Sequence, residues 1–348
     1  MHALARLSWS GALALAISLA RAETWQTTHG ERCEGTLSGV YGTTVVIAGK
    51  VEATMLPLES LDDAALGRVA DFLAARAKAP VAWADSTAKV AKSLRGRLQI
   101  MREGKLVEFD PGGRPEPEIY LVYFGAFWCG PCRAFSPDLV KAYRGLKQLA
   151  SDRFELVFVS SDKNANEQEA YIREAHMPWP VLNFYDLGNV WPIERWDGPG
   201  IPSLVVLTRE GEILYNSYHG EEYVGPRSVL AQAESLLRAM SEETGAPRPA
   251  AHRLALLQYL RTAGSATRPP TPYLIALDRS RYGTLEVKKL TATLEIDEQG
   301  KVTSAHFEPQ LPPVLDYQLV QDAGNWLFLP ALDHGQPKRV RVSLPLML

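Results

Sequence analysis

This chain is short of cysteine, of clustered histidine, of charge imbalance and of long apolar runs. Three cysteines occur among 348 residues, too few for a disulfide-stapled exported scaffold. The seven histidines (His2, His29, His176, His219, His252, His306 and His334) are scattered. A Cys-x-x-Cys pair here therefore lacks the second pair that a structural zinc site requires, and no metal or cofactor is expected. With 37 basic against 40 acidic residues the formal net charge is −3. That near-balance excludes a general electrostatic attraction to nucleic acid. The apolar stretch from Leu7 to Leu19 is shorter than the about 20 residues of a membrane span.

That stretch has the makings of a secretion signal. Arg6 supplies positive charge ahead of it, and Ala20-Arg21-Ala22 fits a small-x-small cleavage site. Residues 1–22 are expected to direct export, with a mature chain starting near Glu23, outside the cytoplasm and in the periplasm of a Gram-negative bacterium. An uncleaved anchor is the alternative. No cysteine follows closely enough to carry a lipid.

What the chain does have is Trp128-Cys129-Gly130-Pro131-Cys132. Two cysteines separated by two residues can close a disulfide and reopen it by thiolate attack. An apolar, strand-like run, Leu121 to Ala126, precedes them, and Arg133 to Leu149 reads as a helix. Cys129 is then expected where a strand ends and a helix begins, where free backbone N–H groups and the helix dipole favour a thiolate. A disulfide closing so small a loop removes little entropy from the unfolded chain, so the pair is expected to react rather than to staple. Cys33 stands alone and reads as a small buried hydrophobe; a third redox thiol or an intermolecular bridge is the sharper alternative.

The patterning divides the mature chain into three units. Residues 23–76 carry short alternating runs broken by Gly39, Gly42 and Gly49, then a helix from Ala64 to Ala75: a small β-meander plus helix. Residues 77–94, rich in Ala and Lys, read as a linker. Residues 95–243 alternate strand and helix as an α/β sandwich with parallel strands at its start, opened by a hairpin (98–101 and 106–109). Residues 244–271, rich in Pro, Ala and Thr, read as a second linker with a short helical pattern at Arg253 to Leu260. Residues 272–348 form an α+β unit, with strands 291–296, 302–307 and 339–346 and a helix from Asp316 to Trp326.

Three resemblances sharpen this. The pentapeptide, with Ile201-Pro202-Ser203 at the place of a cis-proline loop, resembles the thioredoxin family. Tyr123-Phe124-Gly125-Ala126-Phe127-Trp128 and Met177-Pro178-Trp179-Pro180 resemble its tryparedoxin and nucleoredoxin branch. Trp25, Gly30, Gly35, Gly39 and Pro57 to Leu61 resemble an SH3-like small barrel of exported bacterial proteins. Trp326 to Ala331 with Gly335 and Pro337 resembles the C-terminal domain of TonB-type transducers, which pairs edge-to-strand with its partners. The fold class implied is multidomain α/β: a central thioredoxin-like sandwich between an SH3-like small barrel and a TonB-C-like α+β domain.

The first resemblance also implies roles. Cys129 is the exposed nucleophile and Cys132 resolves the mixed disulfide. Trp128 covers one side of the sulfurs, Gly130 allows a tight turn, and Pro131 suits the first helical turn. Pro202, with Ile201 before it, presents a backbone edge to an extended substrate. Thioredoxins place a buried carboxylate six residues before the first cysteine; here that position is Tyr123, so proton transfer must use another group, with Asp162 the nearest candidate. Trp179 is expected near the sulfurs, or else in ordinary packing. Together these imply an exported thiol–disulfide oxidoreductase, more reductase than oxidase, acting on protein disulfide or thiol substrates. An inner-membrane thiol donor would supply its electrons, and envelope partners would dock through the C-terminal domain. The competing expectation is an envelope adaptor whose terminal domains bind and whose redox domain is a scaffold.

Overall fold

In a computed structural model of the chain the described residues are 23–75, 81–190, 198–241, 249–277, 282 and 289–347. The expected signal segment, 1–22, lies outside them. Among the described residues no helix is long and apolar enough to cross a membrane.

The first unit is an antiparallel meander of β1 (Glu23–Gln26), β2 (Arg32–Tyr41), β3 (Thr44–Ala48) and β4 (Ala53–Pro57), in that spatial order, followed by helix α1 (Asp63–Ala75). Successive strand residues face opposite sides. Val45 and Ile47 pack with Trp25 against Ala65, Leu66 and Val69 of α1, while Val46, Tyr41 and Ala53 join the core of the central unit. The sheet is thus a layer covered on both faces.

The central unit contains α2 (Lys89–Leu94), β5 (Leu98–Arg102), β6 (Lys105–Glu108), β7 (Ile119–Gly125), α3 (Gly130–Ala150), β8 (Phe154–Ser160), α4 (Ala165–Glu174), β9 (Val181–Leu182), β10 (Ser203–Thr208), β11 (Ile213–Asn216), β12 (Tyr218–His219), β13 (Glu222–Tyr223) and α5 (Pro226–Ser241). Seven strands form one sheet in the order β11-β10-β7-β8-β9-β5-β6, with β7, β8 and β9 parallel. Ile119, Leu121 and Tyr123 of β7 point to the face covered by α3 and α5; Tyr120, Val122 and Phe124 point to the other. Burial on both faces explains why these strands read as unbroken apolar runs.

Residues 81–94, the described part of the stretch expected as the linker 77–94, supply much of the cover for that second face. Trp83 lies edge-on to Phe109 (5.4 Å) and Tyr120 (5.9 Å), and Val90, Ala91 and Leu94 of α2 are buried beside it. Alanine and lysine dominate the composition there, but the few apolar side chains fall on one helical face, and packing prevails over composition.

Residues 249–271, the described part of the second expected linker (244–271), likewise do more than tether. Helix α6 (Pro249–Arg261) sends Ala250 and Leu254 into the core of the first unit. From the same helix His252 places Nε2 2.8 Å from the Phe328 carbonyl in the last unit. The last unit has β14 (Thr271–Leu274), β15 (Lys289–Ile296), β16 (Val302–Glu308), α7 (Pro313–Ala323), β17 (Leu327–Leu329), β18 (Ala331–Asp333), β19 (Gln336–Lys338) and β20 (Val340–Met347), with a three-stranded sheet ordered β16-β15-β20. Helix α7 starts earlier than expected because Pro313 suits a first helical turn.

Candidate active site

Antiparallel pairing of β10 with β7 sets Ser203 opposite Phe124. The loop after β7, which carries the cysteines, and the loop before β10, which carries Ile201 and Pro202, therefore meet at one end of the sheet. Cys129 is the residue capping α3, and its sulfur accepts the Cys132 backbone N–H at 3.1 Å. A sulfur in that place is stabilised as a thiolate by the N–H group and by the positive end of the helix. The Cys129 and Cys132 Cα atoms are 5.2 Å apart and the sulfurs are joined as a disulfide. Cys129 is 5% exposed and Cys132 0%. Both cysteines are thus buried in the disulfide form, where the sequence reading expected Cys129 to be exposed. Cys33, the free third cysteine, is half-buried on β2, and burial raises its pKa.

The inner wall of the site is a group of three hydroxyls. Tyr123 Oη donates to the Cys132 carbonyl (3.2 Å) and lies 3.0 Å from Tyr171 Oη. Ser136 Oγ donates to the same carbonyl (3.0 Å) and sits 2.6 Å from Tyr171 Oη. Three O–H groups can satisfy that carbonyl and one another without any charge. Burial drives the pKa of Tyr123 and of Tyr171 upward, so both stay protonated. Ser136 and Tyr171 were not foreseen. Only the register of α4 against α3 brings them together.

The outer wall is built from backbone. The Ile201–Pro202 peptide is cis, and the Ile201 carbonyl oxygen lies 3.8 Å from Cys129 Sγ. Tyr223 Oη donates to the Pro202 carbonyl at 2.7 Å. Trp128, 58% exposed, donates its indole N–H to the Ser161 carbonyl at 3.3 Å. Gly130 and Pro131 are exposed in the first turn of α3, where Pro131 forfeits no helical hydrogen bond.

Two expected site residues are placed differently. Trp179 is fully buried, its ring 5.3 Å from Tyr143, about three turns along α3 from Cys132. Apolar burial claims it for the core, not for the sulfurs. Asp162 is engaged elsewhere: its carboxylate accepts the Phe127 N–H (2.7 Å) and the Ser160 hydroxyl (2.7 Å). It pins the loop just before Trp128 and Cys129. Burial raises its pKa while these hydrogen bonds oppose the rise. Among the described residues no three His, Cys, Asp or Glu side chains converge as a metal site.

A strand leading to a helix-capping cysteine, with a cis-proline loop across from it, defines a thioredoxin-like domain, and a family model described as thioredoxin-like matches residues 117–213. Particular relatives narrow the likeness. Over 94 residues the chain is 39% identical to the nucleoredoxin of Bos taurus, which takes in 27% of this chain and 21% of that protein. Over 100 residues it is 42% identical to probable nucleoredoxin 2 of Oryza sativa subsp. japonica, or 28% of this chain and 25% of that protein. The match thus spans about a fifth to a quarter of these relatives. Among solved structures, tryparedoxin from Trypanosoma brucei is 28% identical, covers 37% of this chain and 85% of its own, and superposes with a TM-score of 0.31.

Proposed function

We propose that the chain is a thiol–disulfide oxidoreductase that works outside the cytoplasm on protein disulfides. The observation that carries this reading is the helix-capping position of Cys129, with its sulfur on the Cys132 N–H and beside the Ile201 carbonyl. In the reduced protein the Cys129 thiolate attacks one sulfur of a partner disulfide. A Cys129–partner bond forms, the partner's own S–S bond breaks, and the departing thiolate takes a proton. Cys132 then gives up its proton and attacks Cys129 Sγ; the Cys129–partner bond breaks, the intramolecular disulfide closes, and the second partner thiolate takes up a proton to leave a dithiol. Two electrons pass to the partner, and a thiol donor at the inner membrane restores the pair. Trp128 and the Ile201–Pro202 backbone border the approach to Cys129, and an extended partner segment pairs with that backbone.

The export signal read at residues 1–22 supports the location, and the absence of a histidine between the cysteines supports a reducing couple. The SH3-like and TonB-C-like resemblances of the terminal units support a role in holding envelope partners. Mass-shift alkylation tests the chemistry. The Cys132→Ser protein should accumulate mixed disulfides at Cys129 when partners are present. Absence of any such adduct, with Cys129 still alkylated in the reduced protein, would sink the reading.

A further inference from the structure

The loop beside the sulfurs is supported from behind by the two-strand hairpin β12–β13. Tyr223 Oη holds the Pro202 carbonyl, and the Tyr223 ring lies 4.9 Å from that of Tyr218. Tyr218 in turn packs against the loop: a Cβ built on Gly198 would fall 2.1 Å from its ring, and one on Gly200 2.9 Å from its hydroxyl. Glycine is needed at 198 because an aromatic ring fills the space of its side chain. The hairpin also approaches the first unit, without a hydrogen bond at His219 Nε2. Glu52, which lies just before β4, accepts a hydrogen bond from Gln232 of α5 at 2.7 Å and reaches within 4.0 Å of His219 Nε2 on β12.

We propose that Tyr223 is a positioning residue for exchange with protein disulfides, and that the first unit sets its position through Glu52 and the hairpin. The proposal rests on the oxidoreductase reading. Tyr223 takes up the Pro202 carbonyl, which leaves the Ile201 carbonyl as the acceptor nearest Cys129. An extended protein segment must pair with this short backbone edge while its disulfide reaches the sulfur. A small aromatic disulfide needs no such pairing. Loss of the Tyr223 hydroxyl therefore weakens the first reaction more than the second.

The test compares reduction of insulin with reduction of a nitrobenzoate disulfide by the full chain. Tyr223→Phe keeps the ring and removes one hydrogen bond. The expected result is a fall in kcat/KM for insulin, carried by KM, that exceeds the fall for the small disulfide about five-fold. Glu52→Ala should move the same ratio in the same direction, about two-fold. The reduction potential against glutathione should stay unchanged in both variants. Equal losses on both substrates, or no loss on insulin, overturns the proposal. If the wild-type chain reduces neither disulfide, the functional reading fails by itself. Hydrogen exchange then decides the positioning claim, because unaltered amide protection across residues 198–204 in Tyr223→Phe also overturns it.

Discussion

The two walls of the disulfide are built on opposite plans. The inner wall, Tyr123, Ser136 and Tyr171, is made of side chains sealed inside the core, each almost wholly buried. The outer wall is backbone, held in place by side chains that arrive from the surface: Tyr223 to Pro202 and Trp128 to Ser161. Tyr223 itself is 47% exposed. The contrast separates two demands on one site. On the proposed reading, Cys132 as the resolving sulfur needs a fixed, uncharged surround, which the core supplies along with stability. Cys129 as the attacking sulfur needs a surface that a partner can reach, and that surface is held by contacts whose loss leaves the core intact.

The largest expected effect divides the walls by stability. Tyr123→Ala should cost about 3–5 kcal/mol, whereas Trp128→Ala should cost less than about 1 kcal/mol. Urea unfolding of both proteins checks this, and similar losses would break the comparison. Next comes Gly198→Ala, which forces the loop away from the Tyr218 ring. Exchange with protein disulfides should slow about tenfold or more with near-normal unfolding midpoints; unchanged kinetics would show that the loop tolerates the shift.

A smaller effect is expected from Tyr171→Phe, which removes one hydroxyl from the inner wall. It should lower stability by about 1 kcal/mol and alter the titration of the Cys132 thiol, followed by thiolate absorbance. No change in either quantity would argue that Tyr171 is a bystander. The smallest is a pH effect at Asp162. Its folded pKa is raised, so the folded state holds the proton more tightly than the unfolded chain just above the usual carboxylate range. Stability contributed by that proton is present at low pH and is lost as pH rises through the raised pKa. The stability of the natural protein relative to Asp162→Asn should therefore fall as pH increases across that window. Denaturant midpoints of the two proteins over a pH series would show it, and an opposite slope would rule it out.

How far the sequence reveals this site depends on which forces show in a linear pattern. β7, β8 and β10 could be read because strands buried on both faces leave uninterrupted apolar runs. The cysteines could be read because their spacing and the strand before them are local. Tyr171 could not, since its role depends on how α4 lies across α3. Tyr218 and Tyr223 sit on two-residue strands, too short to show any period, and nothing in their spacing points to Gly198 or Pro202. Trp179 was an attractive aromatic beside a proline turn, yet an aromatic ring buries equally well far from chemistry. Helix α6 showed as a short pattern from Arg253 to Leu260, but the Pro- and Ala-rich composition around it hid its first turn and its packing role.

That helix also bears on how the chain is made. Ala250 and Leu254 complete the apolar core of a unit whose strands end nearly two hundred residues earlier, and Arg261 Nη1 pairs with Asp63 at 2.8 Å. A nascent chain therefore completes the apolar core of the first unit only once α6 has been synthesised.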